Sequence, residues 1–337
     1  MRARVVPILV LVGTLGLLAY QQGLIGRVGA ASAAPGVPAG KVRSGALKLG
    51  VTTAPLARNW WTPWTSADLS TVSSFETDAH RHAAIVMWYA DWAHNPRPLL
   101  EQLNLVARRG SVPEITWEPW DASKGLYVAQ PAYRLKNITG GRFDRYIWTW
   151  ARTLAKWKRP VLLRFAQEMD GNWFPWDEYA NGNRPGQFVP AWRHVQHIFR
   201  LAGATNVKWV WSPAFASWAE TFPGRSSVDI LATTCQNGNK RVFARGWEGF
   251  VKDCGATIAR LHALAPRLPI QLAETGSGEA GGNKAAWIRG MFAYLARHPQ
   301  VKSVIWFNLV KETDWRIESS AAARRAFAAG ARAIGAV

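Results

Sequence analysis

Eight short runs rich in apolar, β-branched and aromatic residues punctuate the chain: Leu47 to Thr53, Ala84 to Tyr89, Val112 to Trp117, Pro160 to Phe165, Val207 to Trp211, Val228 to Thr233, Pro269 to Ala273 and Val301 to Phe307. Between most of them lie longer stretches whose apolar residues recur at helical spacing, among them Phe143 to Lys158, Gln187 to Ala202, Trp247 to Leu264 and Lys284 to Arg297. Near-continuous apolar runs predict strands buried on both faces, as in a parallel sheet covered by helices. Eight such units between residues 46 and 337 predict an α/β fold, a closed (β/α)8 TIM barrel in a single catalytic domain. A doubly wound open sheet is the rival, but no G-x-G-x-x-G follows the first run and no G-x-x-x-x-G-K-[ST] occurs.

Ahead of the barrel, Arg2 and Arg4 precede the apolar stretch Val5 to Tyr20, and Ala30-Ala31-Ser32-Ala33-Ala34 offers an A-x-A-like cleavage site. Residues 1–34 therefore read as a signal peptide or, because the gap to that site is long, as an uncleaved N-terminal membrane anchor. Residues 35–45, with Pro, Gly and Ser, read as a linker. Either reading predicts a secreted or periplasmic barrel. In such an oxidising space the two cysteines, Cys235 and Cys254, suit a disulfide, with two buried free thiols as the alternative. Two cysteines alone make no structural zinc site.

Composition narrows the partners. Lys plus Arg exceed Asp plus Glu by 41 to 22, a formal charge of +19 that attracts anionic polymers or lipids. The cations are scattered, as in Arg108-Arg109, Lys156 to Arg159 and Arg324-Arg325, without an RRM, zinc-finger or helix-turn-helix signature. The expectation is no nucleic-acid partner and an association with an anionic envelope surface or an acidic polysaccharide, for which Arg58, Lys240 and Arg241 near strand ends are candidate contacts. The 20 Trp residues supply flat apolar faces of the kind on which sugar rings stack.

In a barrel of this type chemistry sits at the carboxyl ends of the strands. Those ends read Tyr89-Ala90-Asp91-Trp92, Trp117-Glu118-Pro119-Trp120, Arg164 to Trp176, Trp211-Ser212-Pro213, Gln236-Asn237, Glu274 to Ser277 and Trp306-Phe307-Asn308. Glu168 and Glu274 end two different strands, and glycosidases need two carboxylates flanking the scissile bond, about 5 Å apart for retention and about 6.5 to 9.5 Å for inversion. Either Glu alone reads more simply as a salt bridge or cap; together they point to glycoside hydrolysis. A period of two puts Arg164 on the same strand face as Glu168, so its guanidinium is expected at the barrel mouth beside a carboxylate.

These residues carry a resemblance. The stretch Arg164 to Trp176, together with Val207 to Pro213, Trp247 to Phe250 and Ile305 to Ile317, resembles the signature of glycoside hydrolase family 26, the β-mannanase family of retaining barrel enzymes, over roughly Leu49 to Ile317. The resemblance implies Glu168 as acid/base and Glu274 as nucleophile of an endo-β-glycanase, most simply a β-1,4-mannanase, that requires no cofactor or metal and works on polysaccharide; the sequence leaves the oligomeric state open, with a monomer as the expectation. Two positions depart from the pattern: Gln167 stands where the family usually has His, and Gln236 where it usually has a Tyr that hydrogen-bonds the nucleophile. Both touch the first sugar site, which leaves other β-glycans or an exopolysaccharide open as substrates.

Trp173, Trp176 and Trp306 are expected to face substrate, with Asp91 and Trp92 on the far side of the cleft, where a structural cap is an equal alternative for each. Trp60, Trp61 and Trp64 cluster after the first strand; for these and the remaining strand-end tryptophans core packing is the simpler reading. His194 and His197 lie three apart on a predicted helix, but no H-E-x-x-H pattern completes a metal pair, so a solvated helix face is expected. A catalytically idle barrel that binds polysaccharide is the rival outside enzyme chemistry.

Overall fold

The computed structural model describes residues 47–54, 66–98, 100–214 and 218–334. The signal or anchor, the linker, Arg58 and the cluster of Trp60, Trp61 and Trp64 lie outside the described residues. Eight strands, β1 (Lys48–Thr53), β2 (Ile85–Asp91), β3 (Val112–Glu118), β4 (Val161–Phe165), β5 (Val207–Trp211), β6 (Ile230–Asn237), β7 (Ile270–Ser277) and β8 (Val301–Asn308), close in sequence order into an all-parallel barrel. The outer ring is formed by α1 (Leu69–Ala79), α2 (Leu100–Arg108), α3 (Leu135–Thr139), α4 (Asp144–Trp157), α5 (Phe188–Leu201), α6 (Trp218–Thr221), α7 (Ala256–Leu264), α8 (Lys284–Leu295) and α9 (Ala321–Ala333). The expected barrel is thus the observed one.

Pleating sorts each strand's side chains into two sets. Facing inward at the lower level, Ile85, Met87, Leu162, Val210, Ala232, Ala273 and Ile305 form an apolar plug. Gly50 shares that level because a Cβ there would sit 3.0 Å from both Ile85 Cβ and Ile305 Cγ1. Above the plug the inward residues turn polar: Glu114, Thr116 and Arg164 are fully buried. Facing outward, Trp117 and Trp306 are sealed under the helices. The helices supply matching apolar stripes: α4 buries Ile147, Trp150, Ala151 and Leu154, a spacing that keeps one face toward the barrel. Ser320 caps α9, its hydroxyl accepting from the Ala323 N–H, and Asn283 caps α8 through Ala286.

Five strands outrun their apolar signal, β3 and β8 by the single residues Glu118 and Asn308 and three others by more. β2, β6 and β7 continue to Asp91, Asn237 and Ser277, so the polar residues that were read as strand ends belong to the strands themselves. Along β7 the register slips: Thr233 pairs with Leu272 but Thr234 with Glu274, leaving Ala273 as the extra residue of a bulge. The stretch Trp247 to Leu264 begins later than expected, through a π-helical turn at Val251–Gly255 that carries Cys254. Cys254 is bonded to Cys235 of β6, with Cα atoms 5.9 Å apart.

α9 closes the ring by lying on α8, and Gly330 is the point of closest approach: a Cβ there would fall 2.0 Å from Phe292 Cδ2. Alanine in a helix interior gains about 1 kcal/mol over glycine, whereas overpacking a buried ring costs about 1–3 kcal/mol. Gly330→Ala is therefore expected to lower the thermal midpoint despite its better helix propensity, and a midpoint equal to or above that of the parent would show that the helices can part without cost.

Candidate active site

β4 ends in an abrupt turn. Ala166 and Glu168 both take left-handed backbone angles, φ 48° and 58°, a region that L-residues enter at a cost. Ordinary strand geometry would carry Glu168 onward past the rim; the turn redirects it over the mouth. Backbone hydrogen bonds to both neighbouring strand ends hold the distortion, Ala166 N–H to Trp117 O at 3.1 Å and Glu168 N–H to Ser212 O at 2.7 Å.

The carboxylate of Glu168 accepts from the Thr234 hydroxyl at 2.7 Å and from Trp173 Nε1 at 3.2 Å. Thr234 is the register partner of Glu274 on the adjacent strand. Two glutamates 106 residues apart in the chain thus meet at one threonine, Glu168 through its side chain and Glu274 through strand register, and the β7 bulge is what brings Glu274 level with it. Glu274 meets Arg164 Nη1 at 2.5 Å, and Arg164 Nη2 donates to Ser212 Oγ at 3.1 Å. The Tyr89 hydroxyl from β2 donates to Glu274 as well.

Burial and mutual repulsion set the protonation pattern. Burial, then the Glu274 charge, raise the Glu168 pKa, against Arg164 and the Thr234 hydrogen bond. Burial, then the Glu274 charge, hold the Tyr89 hydroxyl well above its ordinary range, so it stays a donor. Burial opposes charge on Arg164, but Glu274 and its other anionic neighbours prevail and raise its pKa. Lys311, in the loop after β8, stands close enough to feel both carboxylates: desolvation lowers its pKa, and Glu312, then Glu274 and Glu168, raise it to a net increase.

Of the residues expected to face substrate, Trp173 is half-buried and donates to Glu168. Trp176 and Trp306 do not face substrate. Both are fully buried: Trp176 stacks on Phe174 at 4.2 Å and donates to Gln167 O, while Trp306 packs against Trp287 and Phe327 and donates to Trp315 O. The pleat explains the latter, since in β8 the inward residues are Ile305 and Phe307 and their neighbour must point to the helices. Trp92 is likewise core, wedged against Trp117 at 5.0 Å and Phe143 at 5.1 Å. Asp91 is the structural cap, its oxygens taken by His94, Asn95 and the Ala122 N–H. His94 and Asp121 lie close enough to it to form a ligand-like triad, but the Asp91 oxygens already serve these bonds. Gln236 is half-buried on β6, and its carbonyl accepts from Arg245 at 2.7 Å. His194 bonds Asp144 and His197 bonds Arg200, so the two imidazoles serve separate partners.

Four residues escaped the sequence reading as site members: Tyr89, Ser212, Thr234 and Glu118. The first two and Glu118 stand in the strand-end strings, without a signal that assigns them a partner. Thr234 lies one residue past the apolar run. Glu118 accepts from Gln167 Nε2 at 2.6 Å and from Trp120 Nε1 at 3.2 Å. Burial nevertheless pushes its pKa to about 8. Glu114, below it, is pushed by burial to about 7.

A native-state pKa raised from 4.5 to about 8 means that Glu118 keeps a proton which the unfolded chain has released. Its contribution is complete below the unfolded value and is lost as pH climbs through the folded one, so stability falls with rising pH across that window. Gln167 Oε1 has no partner, and a half-turn of that amide lets it accept from a neutral side chain. Glu118→Gln is accordingly expected to flatten the decline in thermal midpoint between pH 5 and pH 8; parallel declines in parent and variant would refute the assignment.

Residues 129–265 match the sequence pattern of Glycosyl hydrolase family 26. Endoglucanase H of Acetivibrio thermocellus is 31% identical over 275 residues, which are 77% of this chain and 29% of that protein. The chain thus spans less than a third of the length of that relative. Beta-1,3-xylanase TXYA of a Vibrio species is 37% identical over 92 residues, 27% of this chain and 18% of that one. Among solved structures, the catalytic domain of the Bacillus sp. JAMB-750 GH26 endo-β-1,4-mannanase superposes with a TM-score of 0.64 at 15% identity, covering 85% of this chain and 86% of its own. The GH26 β-mannanase BoMan26A of Bacteroides ovatus gives 0.64 at 16% identity, covering 87% and 90%. The stretch that matches the family pattern includes β4 with Arg164 and the turn after it with Glu168, and the barrel has the same fold as solved members of glycoside hydrolase family 26.

Proposed function

We propose that the protein is a retaining endo-β-glycanase. The observation that carries this reading is that Glu168 and Glu274 are neighbours close enough for the Glu274 charge to raise the Glu168 pKa, while Arg164 and Tyr89 hydrogen-bond Glu274 and Thr234 hydrogen-bonds Glu168. The two carboxyls sit in unlike environments, which is what an acid and a nucleophile require. Glu274, held by a guanidinium and a phenol, attacks the anomeric carbon while Glu168 gives its proton to the departing glycosidic oxygen. Esterification removes the Glu274 charge that had raised the Glu168 pKa. Glu168, which has given up its proton, therefore stays ionised; it takes a proton from water, whose oxygen attacks the same carbon and releases Glu274. Both steps run on these side chains, with no cofactor.

The substrate class we infer is a β-linked polysaccharide, with β-1,4-mannan first by family resemblance. A second reading, another β-glycan, draws support from Gln167, whose amide is spent on Glu118, and from relatives named for glucan and β-1,3-xylan. Trp173 is the available stacking face under either.

Purified protein incubated with mannan, mixed-linkage glucan, β-1,4-xylan and β-1,3-xylan is expected to shorten one of them to oligosaccharides whose newly formed ends first appear as the β-anomer. Initial α-anomers would replace retention by inversion, and no cleavage of any β-glycan, with binding intact, would favour the idle barrel. Glu274→Ala should lower turnover at least about a thousandfold with the thermal transition preserved. Thr234→Val removes a hydrogen bond that lowers the Glu168 pKa. The basic limb of the kcat/KM profile is expected to move to higher pH, and a limb that stays or moves lower would exclude Glu168 as the proton donor.

A further inference from the structure

The net charge is not spread evenly over the barrel. Connections that enter strands lie at the barrel's N-terminal end, opposite the carboxylates, and they carry exposed Arg108, Lys158, Arg159, Arg267 and Arg297. The acids at that end are already engaged: Glu76 with Arg109, Asp78 with Arg324 and Asp229 with Lys208. At the C-terminal end, by contrast, Asp121, Glu248, Glu312 and Asp314 offset the basic residues. At the centre of the basic end opens a concavity of about 670 Å³, floored by Ile85, Leu162 and Ile230 and ringed by Lys48, Lys302 and Lys208, the last paired with Asp229 on the same rim. Lys48 is also where the chain enters the barrel, so residues 21–47, which separate it from the apolar stretch Val5 to Tyr20, attach at this same end.

We propose that the N-terminal end of the barrel is a docking face for an anionic lipid bilayer. Three features combine to select that occupant. A ring of lysines around an apolar floor suits headgroup phosphates above hydrocarbon, because ammonium groups meet the phosphates while the lysine stems and the floor meet apolar matter. The surrounding arginines extend the positive field over the width of the barrel rather than over one slot, as a surface requires and a single small ligand does not. The chain's apolar N-terminal stretch joins the barrel at this same end, so a chain held by it has this face nearest its point of attachment. On the glycanase reading above, the cleft would then open away from the membrane.

The test uses the full chain and vesicles of phosphatidylcholine with or without phosphatidylglycerol, read by co-sedimentation. The apolar stretch contributes to both vesicle types, so the quantity that matters is the preference for the anionic one. A basic residue near an anionic leaflet is worth about fivefold in binding. The triple variant Arg159→Glu, Arg267→Glu, Lys302→Glu is expected to lose at least about tenfold of the preference, and the loss to shrink as salt screens the parent. A control triple at the other end, Lys124→Glu, Arg142→Glu, Arg184→Glu, changes net charge equally and is expected to keep the preference within about twofold. If the face variant does not fold, its three single reversals carry the same comparison. Equal losses in both triples would mean that net charge alone acts, and no loss in either would remove the face from membrane binding. A face variant that releases polygalacturonate but holds anionic vesicles would reassign the surface to acidic polysaccharide. Neither outcome depends on whether any glycan is cleaved.

Discussion

The buried contact between Arg164 and Glu274 is the constraint from which the upper barrel follows. A guanidinium with no exposed surface costs several kcal/mol unless an anion and hydrogen-bond acceptors surround it. Glu274 and Ser212 supply those partners. Only one such cation lies inside the barrel among the described residues, while four glutamates, 114, 118, 168 and 274, approach its level. Glu274 takes the contact. The other three are driven by burial toward their neutral forms, and so is the Tyr89 phenol. Of the five ionisable groups, one is the ion-pair partner of the cation, and burial raises the pKa of the other four.

The fold was legible in the sequence because parallel barrel strands announce themselves as apolar runs at regular intervals, and all eight did so. Strand lengths were not, because the last residues of β2, β6 and β7 are polar for reasons of chemistry, and a hydrophobic signal stops where the site begins. Arg164 and the two carboxylates were found by asking which polar residues end each strand and by family resemblance. Thr234 was beyond reach: its role depends on a bulge that no local pattern in β7 signals.

The tryptophans show a different limit. Composition says that many are present, and beside a carboxylate each invites a role in binding sugar. Orientation decides, and for Trp92 and Trp306 the pleat sends the ring outward, where wide indoles fill the gap between a cylindrical sheet and its helices. Trp176 is enclosed for another reason, as the prop beneath the β4 loop, its N–H fixing the carbonyl of Gln167 and hence the stem from which Glu168 springs. Trp173 alone of the four keeps an open edge.

The left-handed conformations of Ala166 and Glu168 also bear on how such a protein can change over generations. Each stores on the order of 1–3 kcal/mol of conformational energy, a noticeable part of the net stability of a folded domain. Glycine would release that energy at either place, and at Glu168 it would remove the carboxyl with it. Drift toward a sturdier barrel and drift toward an inert one therefore run in the same direction at this turn, and only continued use of the chemistry opposes them.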